Sequence, residues 1–422
     1  MEENKGSMLE EDYDIHFFQG TTDLGKKEYS EIRNNSKKYI EAVKKRIGEF
    51  FNVKNVNFLF GSGTSCPVIP NMGGLFEYVE DILKEHEDLK DIFNRIADKS
   101  GKNLEEILGI LYSAKAYNQG YNDPQKHWTN CEKLTNLIEQ CIFDKINVKE
   151  EAIHYNKVLN TYKSFYQKLA LRNKDLSRLC IFTTNNDLMN ETALDSLNIH
   201  YINGFGGGVR RYFNPALFSY AFSKRMDTSI DKFEPVENMV YLYKIHGSIN
   251  WIEDKNNANS YFDIREVFPP VEHDKGTVLI YPTPTKQNKS LGSPYVDLFR
   301  EFQHKLLQPN SILFVIGYSF SDEHVNDIIY RALATNTTIN VVIINNLGEG
   351  KPISQISDNR IFRLWSTTPE KSPLHFFCNI VDKLLPDLDA FRHQDENLQN
   401  FIDTLKNIKE QTHNENREDH IS

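Results

Sequence analysis

Cysteine is scarce in this chain. The five that occur, Cys66, Cys131, Cys141, Cys180 and Cys378, are odd in number and include no Cys-x-x-Cys pair. That argues against a disulfide framework and against a thiolate zinc site, and it suits a reducing compartment. Long apolar runs are lacking as well: no stretch approaches the ~20 residues that a membrane helix needs. Met1 to Asp14 is rich in Glu, Asp and Lys with no apolar segment behind a basic start, so neither a leader peptide nor a membrane partner is expected. Basic excess is the third absence. Lys and Arg number 49 against 59 Asp and Glu, a formal charge of −10, and direct nucleic-acid binding, which needs clustered cations against phosphate, is not expected. Together these absences predict a soluble cytoplasmic protein. Its 422 residues leave room for two or three compact units, or for one α/β domain carrying a large insertion.

What is present is a set of short strands rich in β-branched and aromatic residues. They are Val56-Phe60, Leu179-Thr183, His200-Ile202, Val240-Ile245, Val278-Tyr281, Ile312-Ile316, Asn340-Ile344 and Ile361-Leu364. Several are unbroken apolar runs, as expected for a parallel sheet buried on both faces. After Ile316, the spacing of Val325, Ile328, Ile329 and Leu333 predicts a helix, and Asn340-Ile344 then completes a βαβ unit. Between the first two strands, Leu75, Tyr78, Val79 and Ile82, then Leu104, Ile107, Leu108 and Leu111, recur at helical spacing. The chain therefore divides into an N-terminal helical segment (1–55), a sheet domain (56–75 and 178–365), a helical insertion (76–177) and a C-terminal helical segment (366–422) with a polar tail expected to be disordered. The insertion reads as a module packed beside the sheet, because nothing in it resembles a catalytic cluster.

Four polar segments follow strand ends, where ligands bind in open α/β sheets. Gly61-Ser62-Gly63-Thr64-Ser65 is a glycine-serine turn in which Gly61 and Gly63 could take positive φ and direct amides toward phosphate, or could simply make a tight turn. Thr183-Thr184-Asn185-Asn186-Asp187 ends an apolar strand and could serve chemistry or helix capping. His246-Gly247 places a histidine beside an open face. Gly317-Tyr318-Ser319-Phe320-Ser321-Asp322 offers Gly and Ser to phosphate or ribose, with Ser321 and Asp322 as alternative helix caps.

In order and spacing these segments resemble the sirtuin family. Its Gly-Ala-Gly-x-Ser loop, Thr-Gln-Asn-x-Asp cluster, His-Gly pair, Gly-x-Ser segment and Ile-Asn near the adenine correspond to Gly61-Ser65, Thr183-Asp187, His246-Gly247, Gly317-Ser319 and Ile344-Asn345, and Ile69-Pro70 echoes the Ile-Pro after the first loop. The resemblance implies an α/β fold, a Rossmann-like parallel sheet of the sirtuin type, with NAD as ligand. It implies Asn185 and His246 as the catalytic pair and Asp187 as support for the nicotinamide-ribose pocket. Gly61, Ser62, Gly63, Thr64, Ser65, Thr183, Gly317, Ser319 and Asn345 would bind the dinucleotide. Two departures narrow it. The four-cysteine zinc module of sirtuin deacylases cannot form, since Cys378 is the only cysteine beyond His246, and Asn71-Met72-Gly73 replaces the Asp-Phe-Arg after Ile-Pro. The chain is closer to bacterial sirtuin-like NADases of antiphage defence, especially those paired with a HerA-type ATPase. Asn203-Gly204-Phe205-Gly206, Arg211-Tyr212-Phe213-Asn214-Pro215, Tyr241-Ser248 and Leu279-Ile280-Tyr281-Pro282 match their extra segments.

That resemblance implies NAD as substrate, no zinc, a homo-oligomer and a HerA-type partner. Alternatives are an NAD- or ADP-ribose-binding regulatory subunit without turnover, and a protein deacylase or ADP-ribosyltransferase. For hydrolysis, the pyridinium leaves neutral and needs no general acid, so the carboxylate pair of ordinary glycosidases is dispensable. Asn185 could orient water or a ribose hydroxyl through its amide, and His246, with an ordinary pKa of about 6.5, could accept a proton.

Overall fold

The computed structural model describes residues 13–121, 126–170, 176–226, 229–236, 238–253, 263–270, 277–279, 294–348, 350–370 and 372–386. The main sheet is built from nine strands in chain order: β1 (Ile15–Gln19), β2 (Thr22–Asp23), β3 (Asn55–Phe60), β4 (Leu179–Thr183), β5 (His200–Ile202), β6 (Met239–Lys244), β7 (Ser311–Ile316), β8 (Asn340–Ile344) and β9 (Ile361–Ser366). Their order across the sheet is β2-β1-β9-β8-β7-β3-β4-β6-β5. From β5 to β9 all neighbours run parallel. Every residue of β3, β4 and β7 is buried, which is why these strands read as continuous apolar runs rather than alternating ones.

From β3 the chain passes through β4 to β5 at the edge, steps back to β6, then crosses to place β7 on the other side of β3 and continues to β8 and β9. The β3/β7 boundary is thus the switch point, where the loops leaving adjacent strand ends diverge and open a crevice. The Gly61 loop leaves one of these strands and the Gly317 loop leaves the other.

Helices cover both faces. On one, α1 (Ser36–Phe50) and α6 (Tyr155–Leu169) pack against Phe58, Phe60 and Phe314; on the other, α8 (Tyr295–Leu307) and α9 (Glu323–Thr335) pack against Leu59, Leu313 and Val315. Phe165 of α6 meets Phe58 and Phe60 at centroid distances of 5.1 and 5.2 Å. The inserted helices α2 (Met72–Ile82), α3 (Glu87–Ala97), α4 (Leu104–Tyr121) and α5 (Lys126–Ile146) form a separate core around Val79, Phe93, Ile107, Leu111, Leu134 and Ile138. A second, five-stranded sheet draws on chain from both sides of β6 and includes Phe205–Gly206, Arg211–Phe213 and Gly247–Glu253.

Three boundaries differ from the sequence reading. Residues 1–55, expected to be helical, contribute α1 but also β1, which pairs antiparallel with β9 through Phe17 opposite Leu364; Ile-His-Phe-Phe-Gln is too short for its alternation to stand out in polar surroundings. The stretch 76–177 is not one module, because α6 joins the sheet core through Tyr162 and Phe165. The segment after 366 returns to that core through Phe377, Ile380 and Leu384. Its expected final helix and disordered tail lie outside the described residues. So does part of Val278-Tyr281, of which Thr277–Leu279 is a strand of the second sheet.

Candidate functional site

The glycines of the first loop serve a different purpose from the one expected. Gly61 has φ −112°, and neither it nor Gly63 adopts the left-handed region. What they permit is close approach. A Cβ on Gly61 would lie 2.5 Å from the Gly317 carbonyl oxygen and 2.6 Å from Tyr318 Cα, and one on Gly63 would lie 2.7 Å from Gly317 Cα. The two switch-point loops are locked by the Gly61 amide donating to the Ile316 carbonyl at 3.0 Å and the Gly63 amide to the Gly317 carbonyl at 3.0 Å. Gly317, at φ +66°, is the glycine whose left-handed backbone the turn requires. Because the Thr64 and Ser65 amides also bond within the loop, phosphate would meet side-chain hydroxyls here more than an open nest of amides.

Behind this loop lies a buried hydroxyl network. Tyr162, fully buried on α6, donates to Thr64 Oγ1 at 2.7 Å, and Thr64 donates to the Gly61 carbonyl at 2.9 Å. Ser65 Oγ donates to Asp187 Oδ2 at 2.8 Å, whose Oδ1 accepts from the Met189 amide at 2.9 Å. Asn185 Nδ2 donates to both Thr64 Oγ1 (3.0 Å) and Ser65 Oγ (3.1 Å). The donor side of this carboxamide is thereby committed, which leaves Oδ1 as the acceptor a ligand can use. Burial, with the Asp187 charge adding to it, pushes the Tyr162 hydroxyl far above its ordinary pKa, so it remains a neutral donor. Thr183 is completely buried and its Oγ1 accepts from the Asn185 amide at 3.0 Å; it orients Asn185 and lines neither of the cavities described below.

His246 sits just beyond β6, 8% exposed. Asn186 Nδ2 donates to the His246 and Gly247 carbonyls at 2.8 and 3.1 Å, tying the histidine segment to the Asn185 segment. Beneath them Lys244 pairs with Glu191 at 3.0 Å and donates to the Asp187 carbonyl. Burial raises the Glu191 carboxyl above its ordinary range despite this ammonium. His246 Nε2 lies 3.0 Å from Asp322 Oδ2.

These parts line two adjoining cavities. The smaller, about 180 Å³, holds Asn185, Asp187 and His246. Its other wall is aliphatic and comes from the inserted helices: Met72, Leu75, Leu104, Leu108, Ile142 and Ile146. The larger, about 910 Å³, is lined by Gly63, Thr64, Asn345, Lys157, His375 and Phe376 among others. Ser62, Gly317 and Ser319 border both. Ser319 Oγ is 2.8 Å from Ser321 Oγ, and Asn345 Nδ2 donates to the Tyr318 carbonyl at 3.0 Å. The inserted module is thus part of the cavity wall rather than merely packed beside the sheet.

Sequence reasoning missed the aliphatic wall, Tyr162, and the Ser372–Cys378 segment that lines the larger cavity. Burial lowers the pKa of His375 in that segment, so the ring is neutral at pH 7. Only the helical periodicity that includes Leu104 and Leu108 was visible, and it signals burial without saying against what. Among the described residues no group of three or more His, Cys, Asp or Glu could hold a metal ion, and no helix is long and apolar enough to cross a membrane.

A family profile described as a SIR2-like domain matches residues 179–346. That span starts after the Gly61 loop and includes Asn185, His246, Gly317, Asp322 and Asn345. No curated protein matches the chain. Among solved structures, a mutant Sir2 homologue in complex with 2′-O-acetyl ADP-ribose is 14% identical, covering 84% of this chain and 97% of that chain at TM-score 0.36. A mutant Sir2 homologue in complex with ADP-ribose is also 14% identical, with 84% and 97% covered, at TM-score 0.37. A Sir2 enzyme structure addressing mechanism and regulation is 10% identical, with 82% and 97% covered, at TM-score 0.34.

Proposed function

We propose that this protein hydrolyses NAD⁺ to nicotinamide and ADP-ribose. The observation that carries the reading is the meeting of Asn185 and His246 in a small cavity that shares Ser62, Gly317 and Ser319 with a cavity about five times larger. A dinucleotide has two halves joined by a diphosphate, and two joined compartments can take one half each. The nicotinamide ribose lies against Asn185 and His246, the diphosphate crosses the serine-lined neck, and the adenosine half occupies the larger space near Asn345. The match of residues 179–346 to SIR2-like domains supports the same assignment.

Water is the acceptor. Leu104, Leu108, Ile142 and Ile146 wall the small cavity, and that wall offers no polar partner for a peptide backbone. Water adds to the anomeric carbon as the C–N bond breaks and its electron pair neutralises the pyridinium. The proton from water, or from a ribose hydroxyl that has passed it on, goes to His246. Asn185 Oδ1 orients the hydroxyl or water, and each of the two residues contributes roughly 10²-fold or more to the rate.

An unregulated enzyme of this kind would exhaust its own cell's NAD⁺. Such an enzyme must be gated, and the resemblance of its motifs to sirtuin-like NADases of antiphage defence is our ground for proposing that role, as a homo-oligomer activated with a HerA-type ATPase. The test is incubation with NAD⁺, alone and with that ATPase, followed by chromatography of the products. Nicotinamide and ADP-ribose in equal amounts are expected. Tight NAD⁺ binding without turnover under both conditions would replace this reading with a regulatory subunit, and NAD⁺ consumption that requires an acylated peptide would replace it with a deacylase.

A further inference from the structure

Asp322 occupies two roles at once. As the N-cap of α9, its Oδ1 accepts from the His324 amide at 2.9 Å and the Val325 amide at 3.3 Å. Its other oxygen, Oδ2, is the atom 3.0 Å from His246 Nε2, and both side chains are only 10% exposed. The loop carrying it is braced by Tyr318, whose hydroxyl donates to the Asp322 carbonyl at 3.2 Å and to Asn326 Oδ1 at 3.1 Å. Left-handed backbone at Gly317 and Phe320 folds that loop back toward the end of β6. A carboxylate with one oxygen clamped by two main-chain amides has little freedom to swing, so the other is a fixed point for the imidazole ring.

Other charged and titratable groups of this region have contacts of their own. Asp187, from the β4 end, is held by Ser65 and the Met189 amide. Lys244, two residues upstream on β6, is neutralised by Glu191 of α7 (Met189–Ser196). His324 of α9 has its ring against Phe299 of α8.

We propose that Asp322 is the positioning residue for His246: it fixes the tautomer protonated at Nε2, leaves Nδ1 as the proton acceptor, and stabilises the imidazolium once the proton arrives. At 3.0 Å the contact is one of charge rather than an in-line hydrogen bond; a bare nitrogen lone pair facing a carboxylate oxygen would be repelled, so that nitrogen must carry the hydrogen. The kinetic consequence follows the logic of histidine–carboxylate pairs in hydrolases, where the acid orients the ring and is not itself protonated. In the reaction, the oxygen–carbon bond forms, the carbon–nitrogen bond breaks with its pair going to nicotinamide, and the released proton rests on Nδ1 until solvent takes it.

The catalytic half of this inference rests on the NAD⁺-hydrolase reading, whereas the tautomer does not. Asp322→Asn and Asp322→Ser both retain an oxygen able to cap α9, so helix loss is separable from charge loss by comparing their melting with wild type. Heteronuclear NMR of the imidazole, assigned with His246→Gln, reports the ring directly in full-length protein without substrate. We expect wild-type His246 to be protonated at Nε2 and to titrate at higher pH than in Asp322→Asn, since removing a carboxylate disfavours imidazolium. With NAD⁺, kcat in Asp322→Asn should fall by about 10-fold or more, at most the ~10⁴-fold seen when a triad carboxylate becomes an amide. KM should stay within about threefold, and the acid limb of the kcat profile should move to lower pH. A wild-type ring protonated at Nδ1, or an unchanged His246 titration in both variants, overturns the proposal. If wild type leaves NAD⁺ intact while the titration shifts as expected, the hydrolase reading fails and the positioning role stands.

Discussion

The floor and the aliphatic wall of the smaller cavity come from different parts of the chain and obey different physics. The floor is assembled from strand ends at the switch point. Many of its polar atoms have directional partners: Asn185 Nδ2 on Thr64 and Ser65, Asp187 on Ser65 and the Met189 amide, Asn186 on the His246 carbonyl. The wall is assembled from inserted helices with their own core, and it meets the cavity with Leu104, Leu108, Ile142 and Ile146. Hydrogen bonds fix atoms in place, whereas aliphatic packing fixes volume and offers a peptide backbone no polar partner. For the proposed hydrolysis, this division assigns the reaction chemistry to the floor and the choice of nucleophile to the wall.

The largest expected effect is on the floor. Asn185→Ala removes the carboxamide, and with it one donor to each of the Thr64 and Ser65 hydroxyls, and should lower NAD⁺ cleavage by about 10²–10⁴-fold, the scale of a positioned acid-base or orienting group. Product formation in single-turnover assays, with circular dichroism to confirm folding, measures it. A rate within twofold of wild type would mean that the floor does not carry the chemistry. Gly61→Ala should act one step earlier, on the geometry of the floor. Its methyl would meet main-chain atoms of Gly317 and Tyr318 at 2.5 and 2.6 Å, and backbone cannot step aside as a side-chain tip can. We expect about 1–3 kcal/mol of destabilisation, the usual cost of overpacking, with loss of activity as the two loops separate. Urea denaturation at fixed temperature checks the stability.

How legible this was in the sequence follows the same division. The floor could be read because its residues are consecutive at strand ends: Thr183 to Asp187, His246-Gly247, and Gly317 to Asp322 each announce themselves. Even there the physical role was partly mistaken, since Gly61 and Gly63 are glycines for close approach rather than for positive φ. Asp322 was visible as a helix cap, but its contact with His246 joins residues 76 positions apart, which no local pattern encodes. Tyr162 lies 97 positions from the serine it contacts and looks like any apolar-face residue of an amphipathic helix. Periodicity reports that a face is buried and is silent about the partner. For the same reason the aliphatic wall and the Ser372–Cys378 segment became parts of the site only in three dimensions.

A wall substitution should sharpen the contrast with a smaller change of a different kind. Leu108, 1% exposed, lies in both the helical core and the cavity lining. Leu108→Ala should cost about 2–5 kcal/mol of stability, the range for a large-to-small change at a buried site. Cleavage of NAD⁺ should continue within about an order of magnitude, because no directional contact is lost. The informative readout is partitioning in dilute methanol. A widened wall should raise the fraction of methyl ADP-ribose over ADP-ribose a few-fold, while Asn185→Ala should not change that fraction in whatever product it makes. Equal partitioning in wild type and Leu108→Ala would remove the wall from any role in choosing the nucleophile.

The smallest expected effect lies in the larger cavity, which combines both kinds of surface. Phe376 is 46% exposed while lining that cavity, an unusual position for a ring that could have been buried with Phe377 beside it. A purine laid on such a face gains roughly 0.5–1.5 kcal/mol, the scale of an aromatic pair, so Phe376→Ala should raise KM for NAD⁺ about 2- to 10-fold with kcat nearly unchanged. Nicotinamide mononucleotide has the same scissile bond and no adenine, and its cleavage should be unaffected by the substitution. An equal loss with both substrates would place the effect of Phe376 on the folded state rather than on the base. A loss confined to NAD⁺ would extend the division of labour to the whole cleft, with directional contacts at the bond that breaks and apolar surface where the substrate is only held.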